Sequence, residues 1–94
     1  MSGDVDYSVS ALEEKHLISI MMYLSINGDC RKIEIYENVS SNPRIPDKLD
    51  RLEALGLIVQ IRRPDTKSIT VALTPKGKDV ADFLGRIDKI IKSE

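Results

Sequence analysis

Six cations fall within one short stretch of this 94-residue chain: Arg44, Lys48 and Arg51, then Arg62, Arg63 and Lys67. An arginine guanidinium presents paired donors that suit a phosphate or the two acceptors on a guanine edge, and a lysine acts as a point charge on either. Just upstream, Ser40, Ser41 and Asn42 carry the short polar side chains that, with the open backbone donors of a helix start, receive anions. Asp47, Asp50, Glu53 and Asp65 oppose the six cations, which leaves residues 42 to 67 at net +2. The opposite holds at the start of the chain, where Asp4, Asp6, Glu13 and Glu14 face only Lys15 over residues 1 to 20. The whole chain is at net -1 with a pI near 5.8, unlike the basic domains that usually bind nucleic acid. Two readings of the cations stand side by side: a surface for a polyanion, or solvated charges that include an Asp47–Arg51 pair four residues apart on a helix.

Other chemistry is scarce. Cys30 is the only cysteine, which excludes an internal disulfide and a cysteine-rich zinc site. Arg31 and Lys32 beside it would favour a thiolate and hence a redox sensor, against the commoner role of a small core residue. His16 is the only histidine and has no partner at metal-ligand spacing, so it reads as structural and no metal or cofactor is expected. There is no Gly-rich phosphate loop, no His-Glu-x-x-His and no nucleophile with a base, so an enzyme is not expected. The longest nearly uncharged run, Leu17 to Gly28, is too short to cross a membrane. Asp4 and Asp6 replace the basic start of a secretory signal, and a cytoplasmic location is the expectation.

The elements that must position the cations follow from periodicity. Residues 1 to 9 read as a flexible tail. Ser10 and Glu13 form a Ser-x-x-Glu capping box that should open a first helix, with His16 on it and Leu12, Leu17, Ile20, Met21 and Leu24 at helical spacing. Asn27-Gly28 ends it. Cys30 to Lys32 is too short for an independent strand but suits a brief sheet edge. A short helix then places Ile33, Tyr36 and Val39 inward, although Ile33, Ile35 and Val39 also fit a strand.

Asn42 as cap and Pro43 at the first position open a third helix over about 43 to 55, with Ile45, Leu49, Leu52 and Leu55 as its apolar stripe and Gly56 as its stop. Pro46 implies a distorted first turn, or a regular helix beginning there. Subtracting the stripe leaves Arg44, Asp47, Lys48 and Arg51 facing outward. Leu57 to Arg62 and Ile69 to Leu73 are β-branched runs around Pro64-Asp65-Thr66-Lys67, a hairpin. Thr74-Pro75 opens a final helix whose Val80, Phe83, Leu84, Ile87, Ile90 and Ile91 form a broad apolar face.

Leu49-Asp50-Arg51-Leu52-Glu53-Ala54-Leu55-Gly56-Leu57-Ile58 resembles the recognition helix and first wing strand of small winged-helix transcriptional regulators of the MarR, PadR and related archaeal families. Their pattern Leu-x-x-Leu-x-x-x-Gly-Leu-Ile/Val is met at all five positions. Leu73-Thr74-Pro75-Lys76-Gly77 resembles the Leu-Thr-x-x-Gly that closes the wing in those families. The resemblance covers roughly residues 10 to 92 and lacks the long extra helices of the larger MarR proteins.

It implies a mostly α, α+β winged helix-turn-helix: a three-helix core, a two- or three-stranded wing and a C-terminal helix, with residues 10 to 74 as the domain and 75 to 94 as a dimerisation element. It further implies double-stranded DNA as partner, with Ser40, Ser41, Asn42, Arg44, Lys48 and Arg51 at the major groove and Arg62, Arg63 and Lys67 on the backbone. Val80, Phe83, Leu84, Ile87, Ile90 and Ile91 would join two copies about 34 Å apart, one DNA turn. The acidic pI and Asp47 and Asp50 on the reading face keep open a winged-helix protein-interaction module.

Overall fold

The computed structural model describes residues 7–93. A 3-10 helix, Ser8–Glu13, leads into α1 (Leu17–Asn27), β1 (Cys30–Arg31), α2 (Lys32–Asn38), α3 (Ile45–Ala54), β2 (Ile58–Arg62), β3 (Ile69–Leu73) and α4 (Pro75–Lys92). The expected order is therefore present: three helices, a hairpin and a closing helix, with β1 added as a two-residue edge. The sheet runs β1-β3-β2, with Cys30 opposite Val71 and Gln60 opposite the same Val71 from the other side.

The core is a contiguous aliphatic cluster. Leu17, Ile20, Met21 and Leu24 from α1 meet Ile35 from α2, Ile45, Leu49 and Leu52 from α3, and Ile58 and Val71 from the sheet, all fully buried. Removing these side chains from water supplies the main stabilising term, roughly 1.5–3 kcal/mol each before entropy is counted. Ala81, and more partially Val80 and Leu84, bring α4 against this cluster.

Four local expectations are corrected. The Ser10–Glu13 capping box does not form: a 3-10 helix runs through both residues from Ser8 and so takes in the end of the expected tail, whose first six residues lie outside the described chain. His16 stands just before α1 rather than on it, in left-handed backbone (φ 76°), and this reversal separates the two helices. Histidine, like asparagine and aspartate, enters that region more readily than most residues, so the sequence itself tolerates the turn. On α2 it is Ile35 that is fully buried, while Ile33 is exposed and Tyr36 and Val39 are half-buried. Glu34 closes the start of that helix by accepting from the Arg31 N–H at 2.7 Å, which fixes the phase.

The fourth correction concerns α3. Asn42 does not cap the helix. Its Oδ1 accepts from the Arg44 N–H at 2.8 Å and its carbonyl accepts from the Ile45 N–H at 3.0 Å, which builds a turn around Pro43. The helix starts at Ile45, so Pro46 lies in the first turn, where its missing N–H costs no helical bond. Gly56 at φ 79° ends α3, and the Leu57 N–H returns to the Leu52 carbonyl at 3.1 Å.

The junction of wing and α4 is closely fitted. The Thr74 hydroxyl donates to the Gly56 carbonyl at 2.6 Å and accepts from the Gly77 N–H at 2.9 Å, capping α4 as expected. Gly77 lies on the Leu57 carbonyl so closely that a Cβ there would stand 1.9 Å from the oxygen.

Candidate nucleic-acid interface

Helix α3 buries Ile45, Lys48, Leu49 and Leu52, which turns Asp47, Asp50, Arg51 and Ala54 to solvent. Arg44 is exposed just ahead of the helix. Lys48, expected on the outward face, is instead the buried charge among the described residues, 8% exposed. Its stem packs in the flank of the apolar stripe, and its Nζ reaches Glu14 Oε2 at 3.3 Å. Ile45, Lys48, Leu49 and Leu52 follow a spacing of three, one and three, so the broad helical face that includes Lys48 was present in the sequence. The missing signal was its counterion, 34 residues upstream.

Arg51 shares that counterion, with Nη1 3.5 Å from Glu14 Oε1. Its ion pair is therefore with Glu14, and no Asp47–Arg51 pair is found among the described residues. The acidic residues on α3 have a separate use. Gln60 Nε2 on β2 donates to Asp50 Oδ1 at 2.9 Å and to Glu53 Oε1 at 3.1 Å, and the Gln60 N–H donates to Glu53 Oε2 at 3.1 Å. Asp50 and Glu53 thus brace the wing strand against the helix, a role hidden from sequence reasoning because it depends on one glutamine across the fold.

Upstream of α3, Ser40 Oγ accepts from the Asn42 N–H at 3.1 Å and Asn42 Oδ1 is taken by Arg44, so these two side chains shape the turn. Ser41 is exposed beside them. At the wing, Arg62, Arg63 and Lys67 are all exposed. The tip is closed by backbone bonds from the Arg63 N–H to Ser68 O at 2.8 Å and from the Lys67 N–H to Arg63 O at 2.7 Å. Lys67 occupies left-handed backbone (φ 57°), and Arg63 Nε donates to Thr70 Oγ1 at 3.2 Å. Arg44, Arg62 and Lys67 have no ion pair among the described residues. The cations brought to the surface are consequently Arg44, Arg51, Arg62, Arg63 and Lys67, and Lys48 drops out.

Cys30 is buried in β1 opposite Val71. Burial first, then the negative charges of Glu34 and Asp29, push its thiol up to about 11. The Arg31 and Lys32 charges do not produce the thiolate that a redox sensor needs, and Cys30 is a core residue. No group of three or more potential metal ligands occurs among the described residues. No helix there is long and apolar enough to cross a membrane.

On α4 the apolar residues divide by exposure. Val80 and Leu84 are half-buried against the core, whereas Phe83, Ile87, Ile90 and Ile91 are 60, 50, 72 and 75% exposed. Arg86 stacks over Phe83 at 5.4 Å.

Three helices with a short turn before the third, followed by a paired hairpin whose inner strand also takes up β1, define a winged helix-turn-helix. Solved structures share this fold. A transcriptional regulator homologue from Pyrococcus horikoshii OT3 superposes with a TM-score of 0.74 at 19% identity over 90% of this chain and 88% of that one. A transcriptional regulator from Clostridium thermocellum gives 0.60 at 22% identity over 94% and 92%. Reduced AbfR bound to DNA gives 0.65 at 20% identity, over 81% of this chain and 60% of AbfR. No protein-family model and no curated protein matches the sequence.

Proposed function

We propose that the chain is a transcriptional regulator that binds double-stranded DNA as a homodimer, with no catalytic step, in the cytoplasm. The observation that carries this reading is the exposed trio Arg62, Arg63 and Lys67 on the wing of a winged helix-turn-helix fold. In this reading α3 enters the major groove with Arg44 toward base edges and Arg51 beside it in its pair with Glu14, and the turn at Ser40, Ser41 and Asn42 meets phosphates. The wing grips the backbone beside the groove. Residues 10 to 74 are the binding domain, and 75 to 94 pair two copies through Phe83, Ile87, Ile90 and Ile91, with Val80 and Leu84 beneath. An exposed aliphatic and aromatic stripe of this length suits a two-fold interface, in which the same patch serves both partners. A DNA-bound neighbour of the same fold supports the partner class.

Selection of bound sequences from random duplex DNA tests the reading, and enrichment of a palindrome is the expected result. With the three wing cations of each subunit on phosphates, log affinity should fall with log salt at a slope of about -2.7 per subunit. Absence of binding to any duplex at low salt would overturn it.

One observation favours a second reading. The outward face of α3 carries Asp47 and Asp50 beside its single Arg51, a balance that suits a protein partner better than a polyanion. A protein-interaction module would retain α4 pairing and show no salt-dependent binding to duplex.

A further inference from the structure

Glu14 precedes α1 in the turn that the left-handed His16 creates, and it stands at the end of an otherwise acidic segment. Its two oxygens are divided between two cations of α3, Oε2 to Lys48 at 3.3 Å and Oε1 to Arg51 at 3.5 Å. Lys48 is buried, so in this arrangement its charge depends on that carboxylate. Arg51 is different. Its side chain is 60% exposed on the outward face of α3, and its contact with Glu14 is with a carboxylate, the protein's own analogue of a phosphate.

We propose that Glu14 sets the DNA affinity of α3 by occupying the Arg51 guanidinium in place of a DNA phosphate. The proposal rests on the DNA-binding reading above. Lys48 anchors Glu14 beside Arg51, and the backbone reversal at His16 holds the anchor in register, so the internal anion sits permanently at high effective concentration. DNA binds through Arg44 and the wing, and a phosphate reaches Arg51 only by displacing Glu14. Any event that moves the segment before α1 would then free a second strong cation on the reading helix.

The test is a mutant cycle read by duplex titration over a salt series, with a duplex recovered by selection on the wild type. Glu14→Gln combined with Lys48→Met removes both members of the anchor, leaves net charge unchanged and avoids an unpaired buried ammonium. This double variant should bind about five- to tenfold tighter at 50 mM salt, with a slope steeper by about 0.9, one further phosphate contact. Arg51→Ala should lower wild-type affinity by less than it lowers that of the double variant, and should abolish both the gain and the added slope in the latter. Circular dichroism melting verifies that each variant is folded. Two results overturn the proposal while leaving the DNA reading in place: an unchanged or weaker double variant, or an Arg51→Ala loss in the wild type as large as in the double variant. If neither the wild type nor any variant binds duplex, both fall together.

Discussion

The Glu14 carboxylate and the Lys48 ammonium meet at 3.3 Å across 34 residues of sequence, tying the turn before α1 to the middle of α3. Lys48 is almost fully enclosed, while Glu14 keeps part of its surface in water. Breaking this pair from one side leaves a buried cation with no partner, whereas removing both sides leaves a helix face that is simply apolar. Glu14→Ala should cost about 1–3 kcal/mol in urea denaturation, discounted from a fully buried pair for the exposure of Glu14. Glu14→Gln with Lys48→Met should return to within about 1 kcal/mol of the wild type. Equal losses in the two proteins would show that the pair contributes packing and not charge compensation.

The junction between wing and α4 makes a second prediction. Thr74→Val keeps the shape but loses the hydroxyl that joins Gly56 to Gly77, and should destabilise by about 1–2 kcal/mol. Gly77→Ala is expected to be worse, at about 3 kcal/mol or more, since its methyl collides with backbone and not with a movable side chain. Thermal melts of the two variants rank them, and a mild Gly77→Ala would mean that α4 can slide along the hairpin.

At the wing, charge and backbone can be separated. Lys67→Gly removes the cation at a position whose left-handed backbone glycine adopts freely, so stability should hold or rise slightly. Duplex affinity should fall with a salt slope shallower by about 0.9, and Arg62→Ala should do the same. A slope unchanged in both variants would remove the wing from the interface.

Cys30 gives a pH signature. Burial, with the charges of Glu34 and Asp29, pushes the thiol up from its ordinary 9.0 to about 11, so the fold keeps its proton through a range in which the unfolded chain loses it. The resulting stability is fully present below pH 9 and is lost as pH rises toward 11. Alkylation by iodoacetamide at pH 8 should be far slower in the folded protein than in urea. Fast alkylation of the native protein would contradict the buried, neutral thiol.

How much of this was visible in the sequence depends on the range of the interactions. The stripe Leu49, Leu52 with Gly56, and the Thr74-Pro75 cap, are local signals and appear where expected. The hairpin followed from two β-branched runs around a polar turn. The start of α1 did not: Ser10 and Glu13 have the right spacing for a capping box, but the neighbouring Glu14 is drawn to Lys48 and Arg51, and the chain reverses at His16. Ile33 and Ile35 are interchangeable to a periodicity argument over seven residues, and the Glu34 contact with the Arg31 backbone decides between them.

The site was legible to the same degree. Arg44, Arg51 and the wing cations reach the surface as their positions suggested, while Lys48 was misplaced because a lysine on an apolar flank is normally taken as solvated. Asp47 and Asp50 counted against DNA binding as bare charges. Asp50, together with Glu53, also bonds to Gln60 and so holds wing to helix.

The contact of Gly77 with the Leu57 carbonyl also bears on how a paired molecule would measure its target. With no side chain between them, the base of the hairpin and the first turn of α4 share one rigid joint, and no flexible linker separates the wing from the helix proposed to pair. In a two-fold dimer built on α4, the span between the two wings is then a fixed gauge. A duplex whose half-sites are moved apart by a single base pair would be read as a misfit, and the protein would discriminate by spacing as well as by base identity.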